Sequence, residues 1–215
     1  MTEGLEGLNL WFDAELHQYR KGGPDGPILD SITQTLEFAG LVDTTYFTPG
    51  SAQRGTDIHE LCEDYDNGLL TDEAIEAHEY GKYIKGWKKF TTEMDAKWSK
   101  IEWKVADYNI NVAGTIDRVG TVVIDGVRCR VIVDIKSGSK RPSHSVQLAA
   151  YHGLVARALV LSGEHVKSAT SIKRAAVYIT KAGNYKFVEF TDPNDQVVWN
   201  AAIVIGQYRV EKNII

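Results

Sequence analysis

Val131-Ile132-Val133-Asp134-Ile135-Lys136 runs from a β-branched apolar triplet straight into an acid and a base. That density of Val and Ile is a strand signal. Side chains two apart on a strand share a face, so Asp134 and Lys136 point together and Ile135 points the other way. Charges at the end of a buried strand are costly unless a metal, a partner or a solvent cleft compensates them. An Asp-x-Lys alone is a weak motif, and a plain salt bridge across an exposed strand face accounts for it.

The segments on either side strengthen the reading. Upstream, strands are expected over 101–108, 110–119, 121–124 and 127–135, with a tight turn at Asp125-Gly126. If that hairpin pairs, Asp117 of Gly114-Thr115-Ile116-Asp117 comes near the Asp134 end, and two carboxylates and one ammonium meet at one edge of the sheet. Such a trio suits phosphodiester hydrolysis. Hard oxygen ligands hold magnesium or manganese, and a lysine steadies phosphoryl charge or positions the attacking water. Asp117 and Asp134 are the expected metal ligands, with the Ile135 carbonyl as a further oxygen donor.

His59, in Arg54-Gly55-Thr56-Asp57-Ile58-His59-Glu60, opens a helix expected over 53–65. It is a candidate manganese ligand, against the ordinary reading of a capping or core histidine. Glu60 and Glu63, three apart on one helix side, are alternative ligands or surface acids. Downstream, a helix is expected over 143–161, and Gln147 and Tyr151 lie one turn apart on it. An amide and a phenol there can hold Lys136 and contact a phosphate or sugar. The joining loop, Ser137-Gly138-Ser139-Lys140-Arg141-Pro142, places Lys140 and Arg141 where a nucleic-acid backbone could lie, or is simply a polar turn.

In the rest of the chain, 10–20 reads as a hairpin, Ser31 as the cap of a short helix, 46–51 as a loop and 71–98 as one long helix. Lys82, Lys85, Lys88, Lys89, Lys97, Lys100 and Lys104 follow a run of acids, which makes either a solvated face or a ridge for phosphates. Strands over 171–180 and 185–191 and a helix from Pro193 to about Tyr208 complete one α/β domain. With 43% hydrophobic residues among 215, the chain can close a core, so wholesale disorder is excluded. The formal charge of −5 argues against a generally basic nucleic-acid binder but not against a local positive groove. No apolar run reaches membrane-span length and the N-terminus lacks a secretory pattern, so the expected location is cytoplasmic.

Taken in order, His59, Gly114-x-x-Asp117, Asp134-x-Lys136 and Gln147-x-x-x-Tyr151 resemble the PD-(D/E)XK nuclease superfamily. The nearest branch resembles the RecB-type nuclease domain of Cas4-like and phage exonucleases. The resemblance implies an α/β fold with a mixed central sheet flanked by helices. It implies a restriction-endonuclease-like core over about 53–191 of a single domain (1–215), with 1–52 as N-terminal decoration including a hairpin. His59, Asp117, Asp134 and the Ile135 carbonyl would bind Mg2+ or Mn2+, Lys136 would assist the nucleophile, and Gln147 and Tyr151 would organise the lysine and DNA. Lys140, Arg141 and Tyr151 are the expected DNA contacts.

The implied activity is a DNA exonuclease of phage recombination or processing, in the host cytoplasm. A single-strand annealing protein or helicase would be a separate partner, and a homo-oligomer is compatible. Two cysteines cannot supply the four that hold the iron–sulfur cluster of Cas4 enzymes, and no phosphate-binding Gly-Lys-Ser/Thr loop for ATP is present. A nucleic-acid binding module without turnover, or a restriction-type endonuclease, are the alternatives.

Overall fold

The computed structural model describes residues 9–42 and 49–214. The expected N-terminal hairpin is present as β1 (Leu10–Asp13) and β2 (Gln18–Lys21), paired antiparallel. A further strand, β3 (Ile28–Ser31), follows it; the Gly/Pro-rich turn ahead of it hides so short an element from periodicity. Ser31 caps α1 (Ile32–Phe38) through a capping box with Gln34. Part of the loop expected over 46–51 lies outside the described residues, and its end belongs to α2 (Pro49–Asp66).

The single long helix expected over 71–98 is two helices and the start of a strand. α3 (Asp72–Ala77) ends at His78 in extended conformation, and α4 (Gly81–Glu93) starts after it. Gly81 makes the break possible, because a Cβ there would lie 1.8 Å from the Ile75 carbonyl oxygen. The lysine ridge is partly neutralised: Lys85 pairs with Glu76, and Lys88 with Asp72 at 2.5 Å.

The central strands are β4 (Lys97–Asp107), β5 (Val112–Ile124) and β6 (Val127–Lys136). The two segments expected over 110–119 and 121–124 form one continuous β5. Asp125 and Gly126 turn the chain with φ of +49° and +78°, the signature of a tight hairpin. Next come α5 (Ser143–Leu161), the short α6 (Val166–Thr170), β7 (Lys173–Ile179), β8 (Tyr185–Glu189) and α7 (Asn194–Glu211).

The strands form one mixed sheet in the order β1-β2-β3-β5-β6-β7-β8, with β4 along the other side of β5. β3–β5 and β6–β7 are parallel and the remaining pairs antiparallel. Helices cover both faces. Ile58 and Cys62 of α2 and Ile84, Trp87 and Phe90 of α4 pack on Val131, Val133 and Ile135. On the other face, α1, α5 and α7 pack on Ile116, Ile132 and Ala176. Ile135 and Ile132 thus lie on opposite sides, as alternation along β6 requires. This is the α/β, restriction-endonuclease-like arrangement with an added N-terminal hairpin. Among the described residues, no helix is long and apolar enough to cross a membrane.

Two departures from regular pairing create the site. β5 pairs with β3 only at Val112 and Ala113, and with β6 only from Arg118 onward. Residues 114–117 therefore border a fork, beyond which Asp134, Ile135 and Lys136 pair only with β7. In addition, Ile116 packs on the α5 side while Arg118, two residues on, lies under Trp87 on the α4 side. A regular strand would send both the same way. The alternation breaks at Asp117, opposite Glu102, which has φ +46° and drops out of a ladder that is otherwise continuous there. A glutamate in this left-handed region is strained backbone, held by its surroundings.

Candidate active site

The fork leaves both polar groups of Ile135 without a strand partner, and the site is built on them. The Ile135 N–H donates to Asp117 Oδ2 at 2.6 Å. The Ile135 carbonyl oxygen lies 2.9 Å from His59 Nε2, and His59 Nδ1 lies 3.5 Å from Asp117 Oδ2. α2 brings His59 there because Ile58 and Cys62, on either side of it, are buried against the sheet. A helix lying across the sheet edge thus delivers a residue 76 positions before Ile135.

Asp134 and Lys136 project to the α5 side. Lys136 Nζ is 2.6 Å from Asp134 Oδ2 and donates to Gln147 Oε1 at 3.1 Å. Gln147 Nε2 in turn donates to the Tyr151 hydroxyl at 3.3 Å. The chain Lys136–Gln147–Tyr151 therefore exists as the helical spacing implies. Tyr151 is buried and packs over Gly114, where a Cβ would lie 2.9 Å from its ring. That burial supports a role in orienting Gln147 and Lys136 rather than the expected DNA contact. Replacing Gln147 with Ala should lower turnover by about 10–100-fold, and Tyr151→Phe by less, as read from steady-state rates under saturating cation.

Sequence reasoning missed Glu102. His59, Glu102 and Asp117 each offer a ligand atom within 4.8 Å of the others, and Asp134 lies outside that tight group. Glu102 also accepts from Arg118 Nη1 at 3.0 Å. Arg118 is fully buried, pairs with Asp66 at 2.6 Å and donates to the Asp117 carbonyl oxygen at 2.6 Å. Burial alone would lower the Arg118 pKa, but Asp66, Asp117 and Glu102 raise it. The available signal was an acid and an arginine inside apolar strand sequence, Ile101-Glu102-Trp103 and Ile116-Asp117-Arg118. Arg118→Met should cost about 3–5 kcal/mol in denaturant unfolding, because it leaves Asp66 and Glu102 without their cation.

The donor set fits a hard divalent cation. The Ile135 carbonyl can only accept, so His59 Nε2 carries a proton, and Nδ1 of a neutral ring then turns a lone pair toward a carboxylate. A cation between them relieves that contact. Asp134 Oδ2 is buried and takes no well-formed hydrogen bond despite its ion pair with Lys136. Burial, and secondarily the neighbouring Asp117, pushes Glu102 up to about 8; burial, against the pull of Lys136, pushes Asp134 up to about 6.

A carboxyl held protonated by the fold costs nothing below its unfolded value; above that the unfolded chain releases the proton while the folded one keeps it, so stability falls until the folded value is passed. Cation-free protein should therefore lose stability between about pH 4 and 8, with a melting temperature about 5 °C or more lower at pH 8.5 than at pH 5.5. Divalent cation should flatten that decline, which thermal scans in EDTA and in Mn2+ check.

Near the mouth, Lys140 lies exposed with its ammonium 5.2 Å over Phe190. The Arg141 N–H donates to His144 Nδ1 at 3.4 Å. His144 is held neutral, its pKa pressed to about 3 by burial and then by Lys136, Arg141 and Lys140.

Residues 38–203 match the PD-(D/E)XK nuclease superfamily, and the chain belongs to it. Solved structures similar to it include a candidate exonuclease from Eubacterium rectale, at 12% identity and TM-score 0.42, covering 87% of this chain and 82% of that one. Another is LHK-Exo in complex with dAMP, at 11% identity and TM-score 0.34, covering 86% and 89%. No curated protein matches the chain.

Proposed function

We propose that the protein is a Mg2+- or Mn2+-dependent deoxyribonuclease that hydrolyses DNA phosphodiester bonds from strand ends. The observation that carries this is the fork at Ile135. It sets Asp117 and His59 on the strand's two free polar groups, beside the Asp134–Lys136 pair.

His59, Asp117 and the Ile135 carbonyl would hold the cation, with Glu102 and Asp134 at hand as further oxygen donors. When bound, it supplies Lewis-acid relief of phosphoryl charge. Asp117 is fixed by the Ile135 N–H, so it need not reorganise. Lys136, oriented by Asp134 and Gln147, sets an ammonium beside the phosphate; it can give a proton to the departing oxygen and, once neutral, take one from the water that has joined phosphorus. In the reaction, water oxygen joins phosphorus, one ester oxygen departs, and the departing oxygen gains a proton. Lys140 and Arg141, on the loop between β6 and α5, would steady the DNA backbone.

Attack from ends rests on the resemblance to phage exonucleases, and a role in recombination or DNA processing is part of the same proposal. End-labelled linear DNA and closed circular DNA, each with Mg2+ and with Mn2+, test the reading. Loss of the linear substrate with the circle intact is the expected result. Opening of the circle would assign an endonuclease, and salt-sensitive binding without cleavage would assign a binding module.

A further inference from the structure

α7 carries two apolar stripes where a surface helix needs one. Trp199, Ala202 and Gly206 recur at helical spacing and are buried against the domain, with Asp195 at the start of the same face paired to Arg174. Val197, Ala201, Val204 and Tyr208 recur at the same spacing two positions on, and so lie on the opposite side, facing solvent. The exposures are large: 64% for Val197, 66% for Val204 and 56% for Tyr208, with Ile205 at 46% beside them. A helix apolar all round belongs in an interior, and a contiguous exposed apolar patch marks an interaction site.

We propose that this outer stripe of α7 is the interface of a two-fold homodimer. Charge identifies the occupant. From Gln196 to Tyr208 there is no Asp, Glu, Lys or Arg, in a chain whose residues are 25% charged. A membrane surface or a nucleic acid would need cations on this helix. Its one cation, Arg209, is instead turned inward to donate to the Phe38 carbonyl oxygen at 2.6 Å. At a two-fold axis every charge near the axis meets its own copy, so a stripe without charge at its centre suits self-pairing; Lys212, just past the helix, sets its ammonium 5.9 Å over the Tyr208 ring at the far end of the stripe, away from that centre.

The pattern is also self-complementary. Antiparallel packing about an axis between Ala202 and Ile203 sets Val197 against Tyr208 of the second copy. It likewise sets Ala201 against Val204 of the second copy, small against large. Asn200 and Gln207 supply an uncharged polar rim. Eighteen residues give about 27 Å of helix for the contact. The proposal is independent of the nuclease reading, because it uses no residue of the fork.

The test is sedimentation equilibrium on the full chain over a wide concentration range, wild type against Val204→Glu. The wild type should run at twice the 23.9 kDa chain mass and the variant at the chain mass. Val204 is exposed, so the variant should keep the wild-type far-UV spectrum and any nuclease activity. Ala201→Cys provides a second readout, a dimer band with a short bis-maleimide that Val204→Glu abolishes. A wild type that is monomeric throughout, or a Val204→Glu protein that still dimerises, overturns the proposal. So does a monomer in which deletion of residues 1–8 makes Tyr208 newly reactive to iodination, since that would assign the stripe to the chain's own N-terminus.

Discussion

In the Asp117→Asn protein, DNA hydrolysis should fall by at least about a thousand-fold while the fold is retained. The amide oxygen of asparagine can still accept the Ile135 N–H, which Asp117 Oδ2 now takes at 2.6 Å, so the fork keeps its shape. What is lost is the negative charge facing His59 at 3.5 Å and Glu102 across the strand pair. Cation affinity should drop with it, because Asp117 is the carboxylate common to every candidate ligand set. Calorimetric titration with Mn2+ and rates on linear DNA measure the two effects separately. Wild-type turnover by a folded Asp117→Asn protein would remove Asp117 from the chemistry.

Lys136→Met should lower the rate by about 100–1000-fold and leave cation binding intact or tighter. Lys136 Nζ carries its charge 2.6 Å from the Asp134 carboxylate, so it competes with a divalent cation for the same oxygen. Methionine keeps most of the volume of the side chain and removes that competitor. A proton donor or charge stabiliser lost from the transition state lowers kcat with little change in KM. A rise in KM alone would make Lys136 a DNA-binding residue instead. The opposite signs expected for rate and cation affinity separate a role for Lys136 in the reaction from a purely structural ion pair.

The sequence made several parts of this legible because their physics is local. Asp134 and Lys136 share a face by strand alternation, Gln147 and Tyr151 by the helical turn, and Asp125-Gly126 announces its own hairpin. Ser31 caps its helix through side-chain chemistry contained in four residues. The rest depends on long-range contacts. Nothing local in 71–98 reveals that Gly81 must pass against the Ile75 carbonyl, so two helices look like one. β3 is four residues long and exists because β5 offers an edge 82 residues later in the chain, at Val112 and Ala113.

Glu102 is the instructive omission. Its place at the site comes from a left-handed backbone angle opposite Asp117 and from Arg118, which is held in turn by Asp66 of α2. No spacing rule records three elements meeting at one buried arginine. Exposure is equally hidden: the C-terminal helix reads as an ordinary closing helix until the fold shows which of its apolar residues face out.

Cation-dependent hydrolysis of DNA is tested most directly by one measurement. Linear DNA with blunt, recessed and single-stranded ends is incubated with the wild-type protein in Mg2+, in Mn2+ and in EDTA, and acid-soluble nucleotide is counted. Release in at least one cation, with none in EDTA and recovery on restoring the cation, is the predicted result. A folded wild-type protein that releases no nucleotide from any of these ends with either cation would contradict it.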